Sequence, residues 1–138
     1  MNKKVKDFFT LYEKAIAESA VEQISELYAD VFLFGTPESF RSVNKADFVR
    51  VLPKRSEAFA AMGLRSSTID SLEASELDSR YVLVKAVWKM RFEGRDKNGI
   101  ESKNSATYIL FAARNSFEII VQLDHQDLTK KAQQLALK

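Results

Sequence analysis

The 138-residue chain has no cysteine and one histidine, His125. Without thiolates it can form no disulfide scaffold, zinc–cysteine site or iron–sulfur cluster, and it has no cysteine nucleophile. A single histidine also excludes a metal site that needs two. With two prolines and four glycines, the chain contains no linker-like stretch. We therefore expect one domain over residues 1–138 that holds no metal and no other cofactor.

A strong charge imbalance and long apolar runs are also missing. Lysine and arginine number 21 against 19 acidic residues, a net charge of +2, which gives no reason to expect a nucleic-acid partner. No segment approaches the roughly 20 apolar residues of a membrane span. The basic N-terminus continues into a pattern that contains charges, unlike the apolar core of a signal peptide. We expect a cytoplasmic protein that binds neither nucleic acid nor membranes.

The chain consists of a helical half followed by a strand-rich half. Apolar steps of three and four predict helices in the first half, and apolar–polar alternation predicts strands in the second. Pro53 should kink or break the third helix, and Asn98-Gly99 should form a hairpin turn. The predicted helices span residues 5–17, 20–28, 44–63 and 124–137. The predicted strands span residues 30–34, 67–76, 81–93, 103–113 and 117–124. This order indicates an α+β fold with helices on one face of a curved antiparallel sheet.

Two segments carry a resemblance to a known family. Leu27-Tyr28-Ala29-Asp30 is similar to the start of the first strand in SnoaL-like domains, and the strand ending at Asp124 resembles their last strand. Together with the order of elements, they resemble the nuclear-transport-factor-2-like superfamily, which includes polyketide cyclases and steroid isomerases. The resemblance covers almost the whole chain. It implies a single SnoaL-like domain over residues 1–138, with a cone-shaped, cystatin-like fold around a mostly apolar pocket, and a homodimer.

The steroid isomerases of this superfamily supply one comparison of site residues. Their oxyanion tyrosine falls on Tyr12, but their two catalytic carboxyls fall on Thr36 and Thr107. Threonine transfers no proton near neutral pH, so the resemblance implies no isomerase chemistry unless Glu38 replaces the base. Tyr12 can be a ligand-facing hydroxyl or a buried one bonded to the backbone.

SnoaL-like cyclases use an aspartate on the last strand, which falls on Val121 or Gln122 here, and the nearest carboxylate is Asp124, two residues or about 7 Å further along the strand. Three roles remain open for Asp124: a pocket acid, a cap of the final helix, or a plain exposed residue. His125 lies either on the surface or at the pocket mouth, where its ordinary pKa would suit proton transfer. Tyr12, Asp124 and His125 are therefore the candidate catalytic residues.

The predicted pocket lining comes from matching the strand faces to those of the isomerases, with plain core packing as the alternative. The candidate ligand-binding residues are Thr36, Phe59, Met62, Trp88, Met90, Thr107, Ile109, Val121 and Leu123. The opposite sheet face is also apolar, which favours a homodimer packed through it. The residues assigned to that outer face are Leu83, Val87, Tyr108, Leu110 and Ile120.

Two classes of function follow from these residues. The first is a pocket that binds a hydrophobic small molecule, with or without lyase, isomerase or hydrolase chemistry. The second is a non-catalytic dimeric module for protein interaction or ligand transport. A cavity on which Tyr12, a carboxylate and His125 converge would favour an enzyme. A cavity filled by aromatic side chains would favour the module.

Overall fold

The computed structural model describes residues 2–93 and 99–136, so most of the predicted hairpin turn at 96–99 lies outside the described residues. Four helices and six strands follow one another along the chain. They are α1 (Asn2–Ala17), α2 (Val21–Glu26), β1 (Tyr28–Gly35), β2 (Phe40–Asn44), α3 (Lys45–Ala61), β3 (Leu64–Glu76), β4 (Tyr81–Glu93), β5 (Gly99–Ala112), β6 (Phe117–Asp124) and α4 (Leu128–Ala136). The predicted α+β class is confirmed. Within the described residues, no helix is both long enough and apolar enough to cross a membrane.

The strands form one sheet in the order β2-β1-β6-β5-β4-β3. All neighbours are antiparallel except β1 and β6, which run parallel. The sequence analysis missed both this parallel pair and β2. The strand β2 has five residues, most of them exposed, and so lacks the apolar alternation that would have revealed it.

Helix α3 is one continuous helix, so of the two predicted effects of Pro53, a kink or a break, the break is wrong. Pro53 lies on the exposed side, where the Val49 carbonyl that lacks its usual donor can hydrogen-bond to water. The predicted start is confirmed, because the Ala46 N–H donates to Asn44 Oδ1 over 2.9 Å. The helix stops before Gly63, which has a φ of +102°.

The last helix begins later than predicted. Asp127, not Asp124, supports its first turn: the Lys130 N–H donates to Asp127 Oδ1 over 3.0 Å. Asp124 is the last residue of β6, three residues before this cap. The cap and the plain exposed role predicted for Asp124 are therefore both excluded.

The core has two parts. The larger part lies between α1 and the inner face of the sheet, to which β1 belongs. Its most buried side chains include Phe9, Tyr28, Val84 and Leu110. The smaller part, the α3–α4 cluster, joins these two helices to the end of β4. Its members are Phe59, Met90, Phe92 and Ala132, with Met62, Leu64, Leu128 and Leu135 packed against them.

On β4 the predicted inward face is correct, but on β5 it is reversed. Tyr108 and Leu110 are buried, whereas Thr107 and Ile109 lie on the outer face. From 108 to 112 both alternating sets of β5 are apolar, so alternation in this part of the strand did not identify the buried set.

On β6 an irregularity in the pairing with β5 shifts the pattern by one residue. Ile119 faces inward as predicted, but Gln122 and Asp124 follow it, and Val121 and Leu123 face outward. The extra residue of a bulge changes the facing of everything after it, which a regular alternation pattern cannot anticipate.

Candidate functional site

Buried polar side chains on the inner face form an interior network. The Trp88 indole N–H donates to the Tyr108 hydroxyl over 3.0 Å. The hydroxyls of Tyr12 and Tyr28 are 2.5 Å apart, and Tyr28 donates to Gln122 Oε1, also over 2.5 Å. Gln122 Nε2 donates to Asp124 Oδ1 over 3.0 Å. The interior network thus consists of Tyr12, Tyr28, Trp88, Tyr108, Gln122 and Asp124.

The bonds from Tyr12 to Asp124 have one direction. A hydroxyl has a single proton, and Tyr28 gives its proton to Gln122. Tyr12 must therefore be the donor in its bond with Tyr28. Each donor is oriented toward the next acceptor, and the series ends at the Asp124 carboxyl. Hydrogen bonds in series polarise one another. Tyr12 and Tyr28 therefore strengthen the hydrogen bond that Gln122 donates to Asp124.

The strand register places small side chains beside Asp124. Asp124 pairs with Ala106, and Ala106 pairs in turn with Ala86 on β4. Two alanines side by side leave more room than the large residues in the next rows, where Trp88 and Tyr108 stand. Asp124 therefore borders the part of the inner sheet face with the smallest side chains.

Asp124 combines burial with one free oxygen. Its relative exposure is 7%, and burial raises the pKa of its carboxyl, although the Gln122 hydrogen bond and the charges of Arg55 and His125 oppose the shift. The carboxyl is held at one oxygen by Gln122 and has no donor at the other among the described residues. A carboxyl held at one oxygen and without a donor at the other can give or take a proton.

The tyrosines of the network are neutral donors. Burial raises the pKa of Tyr12 to about 12. Burial first, and then the charges of neighbouring groups, raise the pKa values of Tyr28 and Tyr108 well above their usual range. Tyr12 is thus a buried hydroxyl, but its partner is a side chain and not the backbone.

Comparison with known proteins places the chain in a family. The family described as NTF2-like protein (DUF6841) matches residues 2–127. The chain belongs to this NTF2-like family. No curated protein gives a significant match to it. Helix α4 follows the last matched residue.

Solved structures of other proteins, two of them described as NTF2-like, share the fold. An NTF2-like protein with a cystatin-like fold from Novosphingobium aromaticivorans has a TM-score of 0.75 at 9% identity, covering 97% of this chain and 87% of its own. Aln2 from a Streptomyces species has a TM-score of 0.74 at 10% identity, with 95% and 94% covered. A candidate dehydratase of the NTF2-like family from Streptomyces avermitilis has a TM-score of 0.69 at 11% identity, with 90% and 94% covered. The predicted superfamily and cystatin-like fold are confirmed, and such low identities show the fold alone.

Two of the three candidate catalytic residues belong to the interior network. Tyr12 and Asp124 are linked through Tyr28 and Gln122, whereas His125 is on the other face of the sheet. His125 Nε2 lies 2.7 Å from Thr107 Oγ1, beside an outer groove of about 610 Å³. Successive residues of a strand point to opposite faces, which separates His125 from Asp124.

The candidate ligand-binding residues divide into four groups. Trp88 lies in the interior network, with its ring edge-on to Tyr12 at 5.6 Å between centroids. Thr36 is in the β1–β2 turn, where its hydroxyl accepts from the Ser39 N–H over 3.2 Å. Phe59, Met62 and Met90 belong to the α3–α4 cluster. Thr107, Ile109, Val121 and Leu123 are on the outer face, opposite to the predicted side.

The sequence analysis did not identify Tyr28, Tyr108 and Gln122 as site residues. Tyr28 was assigned to the end of a helix, and Tyr108 to the outer face. Gln122 carried a usable signal, since a glutamine inside an otherwise apolar strand needs a hydrogen-bond partner if it is buried. In residues 2–93 and 99–136, no group of three or more acidic or histidine side chains could hold a metal ion.

Proposed function

We propose that this NTF2-like protein binds a small organic molecule beside Asp124 and transfers a proton to or from it, as a lyase or isomerase does. The observation that carries the proposal is the Asp124 carboxyl, which is buried, held at Oδ1 by Gln122 and without a donor at Oδ2 among the described residues. A carboxyl whose pKa is raised by burial can act as an acid or base nearer to neutral pH.

The surroundings of Asp124 support this function. Ala86 and Ala106 provide the least bulky part of the inner face, and Trp88 offers an aromatic surface next to it. Tyr12 and Tyr28 keep the Gln122 amide fixed, so Oδ1 of Asp124 stays in place while Oδ2 reacts. The name of the Streptomyces avermitilis neighbour includes a lyase activity, dehydration, on the same fold.

A second candidate function is the non-catalytic module, and the aromatic packing favours it. The Tyr12 ring contacts Trp88, Tyr28 and Tyr108 edge-on, with centroids 5.6 to 6.1 Å apart. These rings fill much of the space between α1 and the sheet. A ligand therefore has to occupy the region above the two alanines.

Trp88 is the only tryptophan, so its fluorescence can test the two functions. Ring-sized apolar compounds should change the Trp88 emission and raise the melting temperature with the logarithm of their concentration. Tyr12→Phe removes the donor to Tyr28 and should lower the stability of the protein by roughly 0.5–1.5 kcal/mol, the value of one neutral hydrogen bond, while the compounds still bind. Tyr81→Phe, a change at an exposed tyrosine, is the matched control and should have no effect.

The catalytic part of the proposal needs a chemical readout. A bound compound with a C–H next to a carbonyl should exchange that hydrogen for deuterium in D₂O, and Asp124→Asn should abolish the exchange without abolishing binding. Binding without exchange in the wild type would favour a carrier. If no compound of a ligand panel changes the fluorescence or the melting temperature, the non-catalytic interaction module is the function that remains.

We also propose that a second copy of the chain covers the outer face of the sheet. Four aliphatic side chains form a row across it: Leu83 pairs with Ile109, Ile109 with Val121, and Val121 with Leu33. None of the four is fully buried, and an apolar row on an uncovered sheet face is typical of an interface. In a two-fold dimer, this row of one copy packs against the same row of the other copy.

A further inference from the structure

Helix α4 brings a cation to the inner polar surface. The half-buried Lys131 donates through Nζ to Asn104 Oδ1 over 2.8 Å and to the Lys103 carbonyl over 3.3 Å. Both acceptors are neutral. The ion pairs among residues 2–93 and 99–136 involve other cations, so no carboxylate there neutralises Lys131.

Helix α3 supplies a second cation beside the α3–α4 cluster. The Arg55 guanidinium lies 4.9 Å from the ring centre of Phe59, which precedes the end of α3 and packs near Ala132 of α4. Arg55 also takes part in no ion pair within the described chain. Although the residue is exposed, its charge lowers the pKa values of both Tyr12 and Asp124, which places the guanidinium within electrostatic reach of the interior.

Asn104 connects Lys131 to the site. Asn104 is 4% exposed and pairs with Trp88. It lies two residues before Ala106 on the same face of β5, and Ala106 pairs with Asp124. Two residues of strand span about 7 Å, so Lys131 contacts a side chain only one step from the Asp124 row.

We propose that the interior site takes an organic anion, whose charged group is bound between Arg55 and Lys131 while its apolar part lies against Trp88 beside Asp124. This inference rests on the proposed function and specifies the class of ligand. Lys131 can donate a further hydrogen bond, because an ammonium has three protons and two are used. A carboxylate would give both cations an anionic partner, which neither has among the described residues, and a hydrogen bond between two charged groups is stronger than a neutral one.

Benzoate and benzamide test the inference, because they share a shape and differ in charge. Their binding is measured by Trp88 fluorescence and melting temperature at low salt. The wild type should bind benzoate at least about tenfold more tightly than benzamide. Lys131→Gln and Arg55→Gln should each remove most of this preference. Lys130→Gln and Lys54→Gln, which remove exposed charges from the same two helices, should retain it.

The outcomes separate this inference from the proposed function. Equal affinity for the two compounds in the wild type would overturn the anion inference and leave the proposed site standing. A preference for benzoate that survives in both Lys131→Gln and Arg55→Gln would also overturn it. Binding of neither compound would count against the interior site itself, and the inference would fall with it. Circular dichroism of each variant confirms that a loss of affinity does not reflect unfolding.

Discussion

The carboxyl of Asp124 has the same covalent structure as that of Asp30, but the two differ in surroundings. The Asp30 side chain is 99% exposed, whereas Asp124 is 7% exposed. Burial raises the pKa of Asp124 above its ordinary 3.8. The folded protein therefore holds the proton more firmly than the unfolded chain does. As the pH rises from about 4, ionisation of this buried group costs the folded state stability.

Asp124→Asn should remove this cost. We expect the variant to melt at a higher temperature than the wild type at pH 7–8, with the difference shrinking as the pH falls toward 4. The measurement is a series of thermal melts between these pH values, with the exposed Asp30→Asn as control. A variant that is less stable than the wild type at pH 8, or equally shifted at every pH, would contradict the assignment.

How far this site could be predicted differs between its residues. Tyr12 was identified from a family resemblance, and Asp124 as the carboxylate nearest to the position that the resemblance implies. Tyr28 and Gln122 depend on β1 pairing in parallel with the last strand, a contact between distant parts of the chain. Neither local periodicity nor composition contains that contact, so the link between Tyr12 and Asp124 emerges only in the fold.

At the scale of elements, the junction between α3 and β3 depends on one glycine. Gly63 has a φ of +102°, and its carbonyl accepts from the Glu93 N–H over 2.8 Å. A Cβ at this position would lie 2.4 Å from the Glu93 carbonyl oxygen. The chain therefore turns from helix to strand against the backbone of β4, where only glycine fits.

Gly63→Ala should destabilise the protein by about 1–3 kcal/mol from backbone conformation alone, and the clash with Glu93 adds to this. Denaturant unfolding should show a lower midpoint with an unchanged slope. Ala61→Gly, at the exposed end of α3, is the control and should cost at most about 1 kcal/mol. Equal stability of Gly63→Ala and the wild type would show that this junction is not constrained as described.

The elements also show where sequence patterns fail. The alternation of β4 gave its buried face correctly, since polar residues occupy only one of its two sides. On β5 both sides are apolar only from 108 to 112, where the facing was assigned wrongly, and on β6 a bulge changes the facing midway. The existence of these strands was predictable, but their facing was set by pairing partners that the pattern does not contain.

For the whole molecule, the corrected strand faces change which substitutions test the dimer. Leu110 was assigned to the outer face, but it has 0% exposure, so Leu110→Lys would disrupt the core. Ile109 and Val121 now occupy the centre of the outer row, with Leu83 and Leu33 at its ends. Val87 keeps its predicted outward position, next to the groove that contains His125.

The wild type should run as a dimer of about twice 15.7 kDa at micromolar concentration. Ile109→Lys or Val121→Lys should shift it toward monomer, because each places an unpaired charge within the apolar row. Ala60→Lys, on the exposed side of α3, should leave the dimer intact. Sedimentation velocity across a range of concentrations measures the equilibrium. A wild type that stays monomeric at high concentration would contradict the proposed interface. Trp88 fluorescence would still report on the interior in that case, because the interior network and the outer row lie on opposite faces of one sheet.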